Sequence, residues 1–376
     1  MRLSRSLFVL AAVVMLAGAT TSAATAEPVD LRAELDSAIA AKVQELSVPG
    51  AVVGLSIPGR IEYVSAVGVS DTATGRPMSV ADHTRIGSVT KTFTGTAVLQ
   101  LVDQGRIRLS DPISRYVEGV PGGDQITLDM LGRMRSGLPN YSEDQAWQER
   151  FIAEAPTGPD AFGTTPRELV DIAFRNPVNF APGTEYEYSN TNTVLLGMVV
   201  TRVTGQSLPD YLRQHVFAPL GLGQTSWPTN GVMPEPFMHG YAELPDGPVT
   251  DTTFWNPSWG DAAGAIVSDV ADMQRWAGAV GRGELLRPET QAQRVAGGEA
   301  AAPGVSYAFT IFDAHGWLGH NGDIPGFTTV SVYLPEQDAT LVVFANSSLP
   351  DVHAAGEIAT AVTSIVTPEH IYSLAG

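Results

Sequence analysis

The chain has 376 residues, of which 44% are hydrophobic, and it contains 38 Gly, 26 Pro and a formal net charge of −18. This composition indicates a globular protein with many loops, a sizeable core, and either one large or two medium domains. The acidic excess argues against nucleic acid or anionic lipid as a partner, and the lack of cysteine excludes disulfides and thiol chemistry.

The N-terminus has the pattern of a secretory signal peptide. Arg2 and Arg5 precede an apolar run over residues 7–19, and Ala24-Thr25-Ala26 forms a small-residue cleavage site. The run is shorter than the roughly 20 apolar residues that span a bilayer, and a lipid anchor would need a cysteine at the cleavage point. We therefore predict a signal peptide over residues 1–26 and a secreted, extracytoplasmic protein with no stable membrane span.

The first part of the mature chain predicts a helix followed by a hairpin. Residues 29–45 have apolar side chains at helical spacing, whereas residues 50–69 alternate like two strands around a Pro58-Gly59 turn. Farther on, the pattern is mostly helical, with Pro- and Gly-rich loops between the helices. The predicted helices of this middle part cover residues 127–135, 166–175, 191–204 and 207–217.

The last part of the chain changes to β-branched and aromatic runs. These runs predict strands that are spaced as an antiparallel meander, and a final amphipathic helix follows them. The predicted strands cover residues 307–312, 327–334 and 339–345, and the helix covers residues 353–365.

Strands at both ends of the chain, with helices between them, indicate an α+β fold. We expect the N- and C-terminal segments to share one antiparallel sheet flanked by helices. The predicted organisation is therefore one domain over residues 27–376. Residues 27–105 and 277–376 form its α/β part, and residues 106–276 form a mostly helical insertion.

A serine and a lysine stand three residues apart in Gly87-Ser88-Val89-Thr90-Lys91, where the pattern predicts a helix start. On a helix, the two side chains lie on one face within mutual reach. A lysine can take the proton of a serine hydroxyl only if burial or nearby cations lower its pKa. Lys42 and Lys91 are the only lysines in the chain, and Arg, which is used everywhere else, cannot serve as a base.

The residues after Lys91 predict a buried helix that ends at Gly105. Such a helix carries Lys91 inward. The alternative is that Ser88 caps a helix and Lys91 is a solvated surface charge, which is the usual meaning of an isolated S-x-x-K match. The apolar stripe that favours the buried helix consists of Phe93, Ala97, Val98, Leu101 and Val102.

Two further polar segments follow along the chain. Tyr188-Ser189-Asn190 stands in a loop that enters the helix beginning near Thr191, and His320-Asn321-Gly322-Asp323 stands between predicted strands. Taken singly, such residues are typical of a loop aromatic, a helix cap and a strand-end histidine.

Taken in this order, the three segments resemble the active-site motifs of the serine β-lactamase and penicillin-binding protein superfamily: S-x-x-K, Y-x-N and a basic residue-x-Gly triplet. The last two segments are similar to the forms found in class C β-lactamases, D-alanyl-D-alanine carboxypeptidases and related esterases. The resemblance covers nearly the whole mature chain and implies the serine β-lactamase/transpeptidase fold. It extends to Ser136-Gly137-Leu138-Pro139, Phe180-Ala181-Pro182-Gly183, Pro219-Leu220-Gly221-Leu222 and Ala262-Ala263-Gly264.

In such enzymes, a serine attacks an amide or ester carbonyl and becomes acylated, and water then releases the acyl group. The resemblance implies that Ser88 is this nucleophile, with Lys91 and Tyr188 moving its proton to the leaving group. It also implies that Asn190 positions Lys91 and the substrate. His320 would hold Tyr188 and the scissile group in a partly positive field.

The same resemblance implies the substrate-binding residues. The oxyanion hole would be the backbone N–H groups of the nucleophile and of Asp323, the residue after the triplet. Asn321 and Gly322 of the triplet would contact the substrate beside it. Trp147 and Trp259 are candidates for the acyl pocket, and they are equally plausible as buried core aromatics.

The chain departs from the carboxypeptidase pattern around the triplet. Enzymes that remove a terminal D-alanine hold its carboxylate with an arginine on the preceding strand and with hydroxyls near the triplet. No Lys or Arg follows Arg294, and Asn321 and Asp323 stand where hydroxyl side chains are expected. An acid there repels a carboxylate unless it is neutralised, and only His315 and His320 are near enough in sequence to compensate.

The sequence thus predicts a secreted serine hydrolase that cleaves an amide or ester through a Ser88 acyl-enzyme, acting on cell-wall peptide, a β-lactam or an ester. Two alternatives stay open: an esterase or amidase on neutral acyl groups, and a penicillin-recognising sensor that acylates without turnover. No cofactor is expected. No metal is expected either, because no two histidines stand at ligand spacing and no H-E-x-x-H segment occurs.

Overall fold

The computed structural model describes residues 30–244, 247–350 and 352–374. The predicted signal peptide, residues 1–26, lies outside the described residues. None of the helices in these three ranges is long and apolar enough to cross a membrane.

The architecture is built around one large antiparallel sheet. In the described residues, nine strands form this sheet in the order β3-β2-β1-β13-β12-β11-β10-β9-β8, and two small sheets have the orders β4-β7 and β14-β5-β6. In chain order, the strands are β1 Gly50–Ile57, β2 Ile61–Asp71, β3 Arg76–Pro77, β4 Thr84–Arg85, β5 Tyr241–Glu243, β6 Val249–Asp251, β7 Val267–Ser268, β8 Glu299–Ala302, β9 Val305–Tyr307, β10 Phe312–Ala314, β11 Trp317–Ile324, β12 Phe327–Leu334, β13 Ala339–Ala345 and β14 Ser347–Ser348.

Helices cover both faces of this sheet and fill the middle of the chain. Each helix that the sequence predicts is present with shifted ends, whereas α4, α8, α9, α10 and α11 are not among the predicted helices. In chain order, the helices are α1 Leu31–Glu45, α2 Thr90–Asp103, α3 Leu128–Gly132, α4 Gln145–Glu154, α5 Pro166–Ala173, α6 Asn190–Thr204, α7 Leu208–Leu212, α8 Ala218–Leu220, α9 Asp261–Gly264, α10 Val270–Arg282, α11 Pro288–Val295 and α12 Ala354–Val366.

The large sheet joins the two ends of the chain. β1 pairs with β2 on one side and with β13 on the other, so that Val53 lies opposite both Ser65 and Val343. Val53 faces the core formed with α1 and α12, and its neighbour Val52 faces the core that contains α2 and α10, as the two-residue period of a strand requires. The structure confirms the predicted α+β fold in which the N- and C-terminal segments share one sheet.

α2 is the central helix and is buried over almost its whole length. Every residue from Thr90 to Leu99 is buried. The hydroxyl groups on this helix bond to backbone carbonyls, Thr92 Oγ1 to Val89 at 2.7 Å and Thr94 Oγ1 to Ala262 of α9 at 2.8 Å. Because these polar groups are satisfied, the helix can be enclosed without the cost of unpaired donors.

The predicted strand over residues 307–312 is wrong. β9 ends and β10 begins at the two limits of this range, and between them the chain makes a turn in which Thr310 has φ +58°. In this turn, Phe309 packs against Gly132 of α3 and Thr310 packs against Gly95 of α2, where neither glycine has room for a Cβ. Contact with these helices overrides the strand preference of the residue types.

The segment His320-Asn321-Gly322-Asp323 lies inside β11 and not between strands. His320 is opposite Ser331 of β12, and Asp323 is opposite Thr328. Gly, Asn and Asp are uncommon in strands, so the residue types alone do not predict that this segment is part of a strand.

The domain boundary predicted after Trp276 falls inside α10. The first turn of this helix already packs on the sheet, because Val270 lies against Gly54 of β1. The whole of α10 therefore lies with the α/β part. The division of the chain into an α/β part and a helical insertion stays a prediction.

We predict that Trp276→Ala lowers the free energy of unfolding by about 3–5 kcal/mol. The buried indole of Trp276 stacks on Phe93 with 3.8 Å between ring centroids, and its Nε1–H donates to Thr92 Oγ1 at 2.8 Å, so it joins α10 to α2. Denaturant unfolding followed by circular dichroism measures the change.

The matched control is Val249→Ala, at a side chain that is 64% exposed, which should change the free energy of unfolding by less than about 0.5 kcal/mol. A loss below about 1 kcal/mol for Trp276→Ala would show that the ring is not a main contact between the two helices.

Candidate active site

Ser88 lies just before α2, on a 3₁₀ turn formed by Gly87–Val89, and is half-buried. Gly87 has φ +51°, a conformation that glycine adopts without strain. A Cβ on Gly87 would lie only 3.2 Å from the backbone nitrogen of Asp323. The turn that carries Ser88 and the strand β11 therefore meet main chain to main chain.

Lys91 is fully buried one helical turn after Ser88. Its Nζ lies 2.8 Å from Ser88 Oγ and donates to the carbonyl of Ala263 at 3.0 Å. Burial lowers the pKa of Lys91 well below the ordinary lysine value, because removal from water disfavours the charged form of the amine. A neutral amine held in this way has a lone pair available to the serine hydroxyl.

Tyr188 comes from the loop before α6 and covers Lys91. The lysine Nζ lies 4.9 Å from the centroid of the Tyr188 ring. Burial raises the pKa of Tyr188, and a hydrogen bond between its hydroxyl and Ser88 acts in the opposite direction. The phenol, the amine and the serine hydroxyl thus meet at one point, although they come from distant parts of the sequence.

Asn190 begins α6, and its side chain is held away from the lysine. Its Nδ2 donates to Ser142 Oγ at 3.0 Å, and its backbone N–H donates to Asn140 Oδ1 at 3.2 Å. The resemblance implied that Asn190 positions Lys91. Among the described residues, the hydrogen bonds of Lys91 go to Ser88 and Ala263 instead.

His320 is buried in β11 with both ring nitrogens engaged. Nδ1 lies 2.6 Å from the carbonyl of Asn321, so Nδ1 carries the proton and Nε2 accepts from the hydroxyl of Tyr307 at 3.3 Å. Burial lowers the pKa of His320 to about 3, and the amine of Lys91 acts in the same direction. The ring is therefore neutral near pH 7, and the partly positive field that the resemblance implied is not supplied by a charged imidazole.

The edge of β11 beside Ser88 has no strand paired with it among the described residues. β10 pairs with β11 only as far as Gly319, whereas β12 pairs with the other edge from Leu318 to Ile324. Gly322 faces the serine turn so closely that a Cβ there would lie 2.1 Å from the carbonyl oxygen of Ile86. An open strand edge can pair with an extended substrate, and only glycine at position 322 allows the approach.

A cleft of about 780 Å³ adjoins Ser88 through two of its lining residues, Asn190 and Asp323. Trp147 and Trp259, which the sequence singles out, also line it, whereas Asn321 is half-exposed and does not contribute to the lining. Of the predicted substrate residues, the structure therefore brings Trp147, Trp259 and Asp323 to one cleft, whereas Asn321 and Gly322 are not among its lining residues.

Four aromatic rings form the apolar wall of the cleft. Trp147 and Trp259 lie 5.8 Å apart between centroids, and Phe151 lies 5.2 Å from both Trp259 and Trp255. Such clusters bury large apolar groups and hold them in fixed orientations. The sequence does not predict the contributions of Phe151 and Trp255, because aromatics of a core and of a pocket have the same local pattern.

Among the described residues that line the cleft, two carboxylates, Asp323 and Glu243, are the charged groups, and none is Lys or Arg. The protein around Asp323 removes part of the hydration of its side chain, and this raises the pKa of Asp323 to about 6. Asp323 is ionised above that pKa, so the cleft favours cationic over anionic ligands.

Two groups make contacts at the site that cannot be predicted from the sequence. The carbonyl of Ala263 holds Lys91, and although Ala262-Ala263-Gly264 is a segment shared with the resembling family, a backbone acceptor cannot be recognised from residue type. Tyr307 holds His320, but its position in a predicted strand gives no indication of that contact.

Comparison with known proteins connects this geometry to a family. A family model described as Beta-lactamase matches residues 35–363. Protein flp of Staphylococcus aureus (strain MW2) is 26% identical over 335 residues, which are 84% of this chain and 63% of that protein. The chain therefore spans less than two thirds of the length of this relative.

Solved structures with the same fold confirm the predicted fold class. A D-stereospecific amidohydrolase from Streptomyces sp. is 30% identical with a TM-score of 0.79, over 90% of this chain and 99% of that one. The D-amino acid amidase from Ochrobactrum anthropi SV3, complexed with L-phenylalanine amide, is 27% identical with a TM-score of 0.81 and has the same coverage.

We predict that the rate of Ser88 acylation rises with pH through one ionisation well below the ordinary lysine pKa of about 10.4, and then becomes constant. Because burial lowers the pKa of Lys91, the basic, neutral amine dominates above that lowered value and is lost below it. Stopped-flow acylation by p-nitrophenyl acetate as a function of pH measures the profile.

The matched variants use the only two lysines. Lys91→Arg keeps a cation that cannot give up its proton and should slow acylation by about 10²–10⁴-fold. Lys42→Arg, whose lysine pairs with Glu45 on α1, should leave the rate unchanged. Acylation that does not depend on pH, or a Lys91→Arg variant as fast as the wild type, would contradict the role of Lys91.

Proposed function

Because the chain belongs to the β-lactamase family of hydrolases, we propose that it cleaves amides of amino acids that have a free, protonated α-amino group and a large apolar side chain, through an acyl-enzyme on Ser88. The observation that carries the proposal is the wall of the cleft, which combines four aromatic rings with two carboxylates and has no Lys or Arg among its lining residues.

Acylation begins with the neutral amine of Lys91, 2.8 Å from Ser88 Oγ. As Oγ bonds to the carbonyl carbon, Lys91 takes the hydroxyl proton and the π pair of the carbonyl moves to its oxygen. The backbone N–H groups of Ser88 and Asp323 stabilise this oxyanion. Losing one donor of this kind typically costs about 2.7–4 kcal/mol of barrier.

Collapse of the tetrahedral intermediate breaks the bond to the leaving nitrogen. The proton held by Lys91 passes through the hydroxyl of Tyr188 to that nitrogen, so that ammonia or an amine leaves and an ester remains on Ser88. Water then attacks the ester and gives one proton back along the same route to Ser88 Oγ. The product is the free amino acid, and the enzyme returns to its starting state.

His320 takes no part in these proton transfers. Its Nε2 lone pair is occupied by Tyr307, and its ring centroid lies 6.1 Å from that of Tyr188. It acts as a neutral wall that keeps the Tyr188 ring over Lys91. Asn190 lines the cleft beside Ser142 and offers its amide to the substrate.

The charged groups of the cleft favour an amidase over a carboxypeptidase. A free α-amino group has an ordinary pKa of about 7.7–8.0 and is protonated at neutral pH, so it is attracted to Asp323 and Glu243. The carboxylate of a D-alanyl-D-alanine peptide or of a β-lactam is repelled by the same groups. The D-amino acid amidase and the D-stereospecific amidohydrolase, with which this chain shares its fold, support the choice of an amide and of the D configuration.

An ester of a neutral acyl group is the second candidate, because the aromatic wall accepts an apolar acyl chain without any charge. A sensor that acylates without turnover uses the same nucleophile. The lifetime of the adduct on Ser88 separates it from an enzyme, since turnover requires that the ester be hydrolysed.

The signal-peptide pattern of residues 1–26 supports an extracytoplasmic site of action. Sequencing the N-terminus of the protein recovered from the culture medium tests this location, and retention of residues 1–26 on an intracellular protein would contradict it.

We predict that D-phenylalanine amide is hydrolysed with a kcat/KM at least about ten-fold higher than that of an N-acylated D-alanyl-D-alanine peptide, since one charge contact of about 1.4 kcal/mol is a factor of ten. Ammonia or D-alanine release measures the two reactions, and L-phenylalanine amide tests the configuration.

Ser88→Ala is the control for the covalent step and should abolish both turnover and the adduct seen by mass spectrometry. A preference for the D-alanyl-D-alanine peptide would reverse the choice of substrate. Equal labelling of the wild type and Ser88→Ala would show that Ser88 is not the nucleophile. An adduct that persists for hours would identify a sensor.

We predict that Asp323→Asn lowers kcat/KM for D-phenylalanine amide about ten-fold and changes that for N-acetyl-D-phenylalanine amide by less than about two-fold. The variant removes the charge but keeps the backbone N–H. Because the pKa of Asp323 is raised to about 6, the carboxylate is charged above that pH and neutral below it. For the wild type, kcat/KM for D-phenylalanine amide should therefore fall as pH drops through about 6.

Steady-state kinetics with both amides at several pH values tests this prediction. For Asp323→Asn, kcat/KM for D-phenylalanine amide should not decrease near pH 6 as it does for the wild type. The Glu243→Gln variant measures how much the second carboxylate contributes to kcat/KM for D-phenylalanine amide. If Asp323→Asn slows the acetylated and free amides equally, Asp323 does not recognise the ammonium group.

A further inference from the structure

The peptide group between Gly322 and Asp323 connects the site to the opposite face of the sheet. Its N–H belongs to Asp323 and is the donor that the mechanism places at the oxyanion, and its C=O belongs to Gly322. In a planar trans peptide, the N–H and the C=O point in opposite directions and move as one body. Whatever holds the Gly322 carbonyl therefore aims the Asp323 N–H.

The Gly322 carbonyl is held by His353, whose Nε2 lies 3.0 Å from the oxygen. His353 is the N-cap residue of α12, and its Nδ1 accepts the backbone N–H of Gly356 at 2.9 Å. Only an unprotonated ring nitrogen can accept, so the proton is on Nε2, and Nε2–H donates to Gly322. The helix cap thus fixes the tautomer that the carbonyl requires.

The imidazole has little freedom to move. The first turn of α12 is tied to β12, since the N–H of Ala355 donates to Thr328 Oγ1 at 3.1 Å, and Thr328 is the partner of Asp323 in the sheet. Burial lowers the pKa of His353, so the ring stays neutral and Nδ1 keeps the lone pair that caps the helix. The cap, the ring and the peptide form one connected unit.

We propose that His353 is a positioning residue of the oxyanion hole, whose Nε2–H fixes and polarises the Gly322–Asp323 peptide so that the Asp323 N–H points at the oxyanion. His353 acts from α12, on the face of the sheet opposite to α2 and Ser88. It acts on the substrate only through the peptide.

Two physical effects connect the hydrogen bond from His353 to the Gly322 carbonyl with the rate of the reaction. Donation to a carbonyl strengthens the N–H of the same amide as a donor, by about 10–30% per bond in condensed-phase estimates. Orientation matters more, because a misplacement of about 1 Å in a catalytic group can cost about 10²-fold in rate. The inference rests on the proposed acylation of Ser88, since the oxyanion forms only in that reaction.

A pair of substitutions separates the two hydrogen bonds of the ring. His353→Asn places an oxygen near the position of Nδ1, so it keeps the helix cap and loses the donor to Gly322. His353→Gln places an amide nitrogen near the position of Nε2, so it keeps the donor and loses the close cap. Stability and catalysis should therefore respond in opposite ways to the two variants.

We expect His353→Asn to keep the wild-type melting temperature and to lose about ten-fold in kcat for D-phenylalanine amide, with KM changed by less than about two-fold. Its affinity for phenylboronic acid, which forms a tetrahedral adduct on the serine, should fall to a similar extent. His353→Gln should melt at a lower temperature and keep kcat within about three-fold of the wild type.

If His353→Asn keeps both kcat and boronic acid affinity, or if His353→Gln loses as much kcat as His353→Asn, the role is structural and the proposal is wrong. The wild type is measured beside them with D-phenylalanine amide and p-nitrophenyl acetate. A wild-type protein that acylates with neither would refute the proposed function itself, whereas an active wild type with an unimpaired His353→Asn refutes only this inference.

Discussion

A neutral amine buried beside a serine hydroxyl is the condition on which the rest of the structure depends. An exposed lysine would be protonated and could not accept the proton of Ser88, so Lys91 must be enclosed. α2 achieves this because it is buried from Thr90 to Leu99 and packs against α6, α7 and α9. The carbonyl of Ala263 then holds one N–H of the amine, and the lone pair is left for Ser88.

The second constraint is the close approach of two main chains. The turn at Gly87 and the strand at Gly322 come within distances that larger residues would block, so the oxyanion site that we propose is built from backbone and not from side chains. The position of β11 depends on its pairing with β12, and through β12 and β13 on β1 near the N-terminus. The contact between His353 and the Gly322 carbonyl extends this dependence, as we propose, to α12 on the other face of the sheet.

The charge of the cleft modifies the family's general chemistry. The nucleophile, the amine and the phenol have the arrangement that acyl transfer requires, and His320 is kept uncharged by burial. The wall beside them carries Asp323 and Glu243 among aromatic rings. These carboxylates and rings are the basis of the proposed preference for an ammonium group beside an apolar one over the terminal carboxylate on which a carboxypeptidase depends.

The sequence by itself determined the fold class, the long helices other than α10, the central strands other than β11, and the order of three segments around Ser88, Tyr188 and His320. These features depend on local periodicity and on residue types at fixed spacing, which a single sequence contains. Only the tertiary structure decided the turn within residues 307–312, the strand around Gly322, and the backbone contacts at the site. The physical reason is that a carbonyl such as that of Ala263, a neutral tautomer or a glycine approach depends on residues far away along the chain, and residue type at one position does not record them.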